Sequence, residues 1–103
     1  MVINEINFES KEFIDLCRVH KVKELYAFGS VLTNNFTDKS DIDLIVEIDE
    51  PNPIFKGKLI LSLYNKFETL FNKKVDLLTF NSIRNPILEE YIGTRKKLIY
   101  PLQ

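Results

Sequence analysis

One cysteine, no tryptophan, three glycines and four prolines leave this 103-residue chain few special-purpose residues. With Cys17 as its sole thiol the chain can form no internal disulfide, and nothing calls for an oxidising compartment. One cysteine and one histidine are too few for a zinc site. No apolar run approaches the ~20 residues that span a bilayer. The opening MVINEINFESKEF lacks the basic flank and apolar stretch of a secretory signal, so the expected location is cytoplasmic, with no membrane partner. Neither sign of charge dominates: Lys+Arg 14 against Asp+Glu 15 gives a net charge of -1. That balance argues against nucleic-acid binding, which draws on a basic excess to engage phosphates.

What remains is a hydrophobic fraction of 45% with eight Phe and four Tyr, enough to build one real core. A single domain spanning residues 1–103 is expected. Ser10 can cap a helix running to about His20, with Phe13, Leu16 and Cys17 as its apolar stripe. KELYAF, Lys23 to Phe28, reads as a strand, and Ser30 to Asn34 can hold a turn or two of helix. Ile42 to Ile48 alternates as a second strand. In the long stretch IFKGKLILSLYNKFETLF, Ile60, Leu63, Tyr64, Phe67, Leu70 and Phe71 fall at helical spacing. KKVDLLTF is a third strand. Asn85-Pro86 starts a further helix to about Tyr91, with Gly93 as its stop, and KKLIYP closes the chain as a last strand. Strands alternating with helices predict an α/β (α+β) fold, a mixed sheet of about four strands covered by helices.

The chemistry concentrates in FGSVLTNNFTDKSDIDL, Phe28 to Leu44. Along a strand, residues two apart share a face, so Asp41 and Asp43 point one way while Ile42, Leu44, Val46 and Ile48 point into the core. An outward polar face is the ordinary reading of two such acids. Three features go beyond it. Gly29-Ser30 closes the preceding strand, where a glycine admits close approach of a phosphate and a hydroxyl can donate to it. Asp76 sits in another strand, flanked by Val75 and Leu77, and can converge on the pair if the strands are neighbours. The intervening loop is long enough to fold the Gly-Ser turn over the acids. Competing motifs fail on spacing: GSVLTNNF lacks the Lys-Ser/Thr of a P-loop, and Ile42 and Ile45 break both EF-hand frames. Oxygen-only ligands point to magnesium or manganese.

Gly-Ser, ten residues, then Asp-x-Asp resembles the signature of the DNA polymerase beta-like nucleotidyltransferase superfamily. The chain's size and the form FGS…SDIDLIV are similar to its minimal nucleotidyltransferase (MNT) branch, commonly the antitoxin half of HEPN/MNT toxin–antitoxin pairs. The likeness runs from the first helix through the final LIYP strand. It implies the nucleotidyltransferase fold, with catalytic and metal-holding roles for Asp41, Asp43 and Asp76. Nucleotide-binding roles fall to Gly29, Ser30 and Ser40. It further implies two Mg2+ ions (Mn2+ as a substitute) and ATP as substrate. AMP would pass to a tyrosine hydroxyl of a partner HEPN toxin, within a homo- or hetero-oligomer. The alternatives are an antitoxin that neutralises its partner by occlusion, without catalysis, and a small-molecule nucleotidyltransferase working as a dimer. One departure stands out: many members carry a basic residue and a glycine soon after the Gly-Ser pair, where this chain has Val31 and Asn34.

Several residues carry ordinary readings. His20 suits the electrostatics of a helix terminus, and Cys17 suits the core. Arg95, Lys96 and Lys97 read as a solvated basic turn, with a nucleotide-phosphate contact as the sharper option. Lys39 is placed to neutralise the acids.

Overall fold

The computed structural model describes residues 1–102. Its main sheet has four strands: β3 (Val22–Phe28), β4 (Ile42–Ile48), β5 (Val75–Thr79) and β6 (Lys97–Tyr100), in the order β5-β4-β3-β6. β4 and β5 run parallel, joined by a helical crossover, and the other pairs are antiparallel. A mixed sheet of about four strands covered by helices is what the pattern of elements predicts, and the structure has it.

The crossover is α2 (Pro53–Phe71). Asn52 accepts hydrogen bonds from the Ile54 and Phe55 amides, and proline occupies the first turn, where its missing N–H costs nothing. Leu63 and Phe67 are fully buried, with Ile60, Tyr64, Leu70 and Phe71 packed around them. α1 (Lys11–Val19) lies beside α2, capped by the Ser10 hydroxyl, which accepts from the Phe13 amide. Both helices cover the face carrying Ile42, Leu44, Val46 and Ile48. Phe13 stacks on Phe67 with centroids 5.6 Å apart, and Phe8 meets Phe13 edge-on at 5.5 Å. Cys17 is buried in this core, and burial pushes its thiol up to about 12, which leaves it chemically inert.

α3 (Pro86–Arg95), capped by Asn85, covers part of the opposite face, where Phe28, Ile45 and Ile92 form a smaller apolar cluster. The expected stop at Gly93 does not occur. The helix passes through that residue to Arg95, and the Lys96 amide still donates to Ile92 O at 2.9 Å. A Cβ on Gly93 would meet nothing within 4 Å, so no close approach explains this glycine.

Two further features lie outside the sequence-based expectation. β1 (Val2–Ile3) and β2 (Ile6–Asn7) form a hairpin through Asn4 and Glu5, both at positive φ (48° and 70°). That is the left-handed pair demanded by the tightest hairpin turn, with asparagine in a position it favours. Asn4 Nδ2 then donates to Val31 O at 2.7 Å and Thr33 O at 2.8 Å, pinning the hairpin onto the segment that follows Ser30.

The second is His20, only 3% exposed rather than a solvated helix-end charge. Its Nδ1 bonds Leu16 O at 2.7 Å and its Nε2 bonds the Ser62 hydroxyl at 2.9 Å, tying α1 to α2. His20→Ala leaves the Ser62 hydroxyl without its partner beside a cavity, while Leu16 O keeps the backbone amide of residue 20. We expect it to destabilise the protein by ~2 kcal/mol. The check is urea denaturation, where the midpoint should fall with the slope unchanged.

Candidate active site

The site is built where β3 ends and β4 begins. Phe28, the last residue of β3, lies opposite Asp43. The chain then turns sharply at Gly29, whose φ is +74°, a conformation that side chains with a Cβ rarely adopt. A Cβ there would also collide with Asp43 Oδ2. Gly29 is thus required twice, by its own backbone and by the carboxylate beside it.

A single 3-10 turn, Gly29–Leu32, follows and is held from three sides. Val31 is buried in the core. The Thr33 amide and hydroxyl both donate to Ser30 O at 2.9 Å. The Asn4 amide secures the carbonyls of Val31 and Thr33. Of these props only the turn itself was visible in the sequence. Asn4 was missed because strands of two residues give no periodic signal.

The loop that returns to β4 is likewise stapled. The Ser40 hydroxyl accepts from the Thr37 amide at 3.0 Å, so in this structure Ser40 closes a turn. Lys73 donates to Thr37 O and Asp38 O and lies over the Phe36 ring. Asp41 leads directly into β4. The next amide, that of Ile42, donates to Lys74 O at 2.9 Å and sets the parallel register. Asp43 consequently stands opposite Asp76. At the start of β5 the Val75 amide donates to Glu68 Oε2 at 2.9 Å, anchoring that strand to α2.

Two aspartates on neighbouring parallel strands, with a third just ahead of them, form an electrostatically unfavourable arrangement. Asp43 is half-buried, while Asp41 and Asp76 are exposed. Burial foremost, then the charge of Asp76, then that of Asp41, raises the Asp43 carboxyl from 3.8 to about 6. The ion pairs of the described residues involve none of the three acids, and Lys39 does not neutralise them. Uncompensated carboxylate oxygens without nitrogen or sulfur ligands fit a hard divalent cation. Among the described residues no three His, Cys, Asp or Glu side chains are yet gathered tightly enough to grip an ion. Asp43 and Asp76 share a neighbourhood on adjacent strands.

Two clefts lie elsewhere. One of about 440 Å³ sits between Phe80, Ile83 and α3, and one of about 650 Å³ between the far end of β4 and the start of α2. Neither contains the aspartates, which stand on an open sheet face.

Comparison with known proteins agrees with this architecture. Residues 11–102 match the family described as "Polymerase beta, Nucleotidyltransferase". The chain belongs to this family. As a polymerase beta-type nucleotidyltransferase it has close company among curated proteins of Methanocaldococcus jannaschii, each named "Putative protein adenylyltransferase". One is 38% identical over 86 residues, 84% of this chain and 83% of that protein. Another is 43% identical over 82 residues, 79% and 78% respectively. Solved structures extend the likeness. A chain from a crystal structure of a toxin–antitoxin with AMP-PNP superposes with a TM-score of 0.69 at 25% identity, covering 95% of this chain and 76% of that one. A chain from a Shewanella oneidensis complex, a tri-AMPylated HEPN toxin with its MNT antitoxin, gives a TM-score of 0.58 at 25% identity over 89% and 69%. This nucleotidyltransferase therefore shares the fold and family expected from Gly29-Ser30 and Asp41-x-Asp43. No helix among its described residues is long and apolar enough to cross a membrane.

Proposed function

We propose that this nucleotidyltransferase is an antitoxin that transfers AMP from ATP to a tyrosine hydroxyl of a HEPN toxin. The observation that carries the reading is the placement of Asp43 opposite Asp76 and against Gly29, three acids on an open face with no cation of their own. Open placement suits an acceptor presented by a macromolecule, since small-molecule sites are concave and enclosed. The solved neighbours that contain a toxin supply the partner class.

Asp41, Asp43 and Asp76 would hold two divalent ions, magnesium or manganese, which neutralise charge on the attacking and leaving oxygens of an in-line displacement. Gly29 and Ser30 receive the β- and γ-phosphates, the glycine by admitting them close to the backbone and the serine through its hydroxyl. The tyrosine oxygen forms a bond to the α-phosphorus as the bond from that phosphorus to the β-bridging oxygen breaks. The hydroxyl proton passes to the Asp76 carboxylate, and pyrophosphate departs. Ser40 supports the site as the residue that closes the turn before Asp41.

The test is incubation of the protein with ATP labelled at the α-phosphate, magnesium and a HEPN toxin. Label on a toxin tyrosine supports the reading. Stoichiometric inhibition of the toxin without label would replace it with occlusion, and label on an added small molecule would replace it with a different acceptor.

A further inference from the structure

The basic residue missing after Ser30 has a counterpart on a strand far away in sequence. β6 pairs with β3 as Tyr26↔Leu98 and Ala27↔Lys97. Lys96, extended at φ −66° and ψ 149°, continues that register to the level of Phe28. Phe28 faces Asp43, and Asp43 faces Asp76. The paired row Phe28–Asp43–Asp76 crosses the sheet with neighbours about 4.8 Å apart, and Lys96, one residue before the paired Lys97, stands at its β3 end.

The lysine also lies on the same face as the acids. Its Nζ sits 5.2 Å from the centroid of the Tyr26 ring, which packs on the cluster of Phe28, Ile45 and Ile92. A hydrogen bond of 3.3 Å to Gly93 O is its other contact. Two other cations near the row are held by contacts of their own. Lys73 is bound to the carbonyls of Thr37 and Asp38, and Arg95 lies over Tyr91. Lys21 and Lys23 pair with Glu50 and Glu47 at the opposite end of the sheet. No carboxylate of the described residues lies within ion-pairing distance of Lys96.

We propose that Lys96 is the cation that engages the β- and γ-phosphates of the nucleotide, in place of the basic residue that many members carry after Gly-Ser. The inference rests on the nucleotide-transfer reading above. A triphosphate with its α-phosphorus over Asp43 and its tail beside Gly29 and Ser30 runs from β4 across the end of β3, and Lys96 is the next residue in that direction. A lysine ammonium is a compact point charge on a flexible stem, suited to follow pyrophosphate as it departs.

The test is calorimetric titration of the whole protein with magnesium and AMP-PNP, and separately with AMP. Lys96→Gln is expected to weaken AMP-PNP binding roughly tenfold while AMP binding stays within about twofold. Lys96→Arg, which keeps the charge, should recover most of the difference. Equal weakening for both nucleotides would show a structural role and overturn the assignment, as would AMP-PNP binding unchanged by Lys96→Gln. In either case wild-type transfer to the toxin would leave the enzymatic reading standing. Failure of the wild-type protein to take up AMP-PNP at all would overturn both.

Discussion

Asp43→Asn is expected to abolish nucleotide transfer while making the metal-free protein more stable. The first half follows from its position. Asp43 is the one acid that meets both its neighbours, with Phe28 and Gly29 on one side and Asp76 on the other. Loss of its charge removes a shared ligand of the ions and should lower turnover by on the order of 10³-fold or more. The second half follows from its pKa. An acid whose carboxyl is raised from 3.8 to about 6 binds its proton more tightly folded than unfolded. Its contribution is therefore intact below about pH 4, declines as pH rises through 6, and is lost at neutrality. For a carboxylate still partly in solvent, the penalty at pH 7 is roughly 1–2 kcal/mol once screening is allowed for. Thermal melts in a chelator should show the wild type losing stability between pH 4 and 7 and the variant much less so. Added magnesium should raise the wild-type melting temperature and affect the variant weakly. Transfer by Asp43→Asn within tenfold of wild type would remove the acid from the chemistry, and flat, parallel melts would remove the repulsion.

How far such a site can be read in advance depends on the range of the interactions that build it. The alternation from Ile42 to Ile48, the cap at Asn85-Pro86, and the stripe through Leu63 and Phe67 are local signals, and the elements match them. The spacing of Gly29-Ser30 and Asp41-x-Asp43 is local too, because one connection joins the end of β3 to the start of β4. Convergence of Asp76 needed a parallel pairing made across α2, which the pattern VDLL suggests but cannot fix. Sheet order was beyond reach. That β6 lies beside β3 is what puts Lys96 level with Asp43, and in the sequence the same lysine reads as part of a solvated turn. His20 shows the same limit: only the docking of α1 on α2 brings Ser62 to its ring. At Gly93 the local rule misled, because a glycine ends a helix only where the chain must turn, and here the backbone continues for another two residues.

Gly29→Ala carries the second large effect, and its energetics can be separated from its chemistry. The backbone at φ +74° opposes any side chain, at ~1 kcal/mol for a left-handed alanine. The new methyl also collides with Asp43 Oδ2, which lies at the end of a short side chain and can swing aside. Stability should accordingly fall by only about 1–2 kcal/mol, whereas transfer should fall about 10²-fold, since a displacement of ~1 Å in a reacting group has that scale of consequence. A double-mutant cycle separates the two causes. In an Asp43→Ala background the collision partner is gone, so Gly29→Ala should cost only its backbone part in urea denaturation. An unchanged cost in that background would show that the carboxylate does not press on Gly29. Full activity of Gly29→Ala would mean that the phosphates do not pass this close to the backbone, and the tail of the triphosphate would need another path across the sheet.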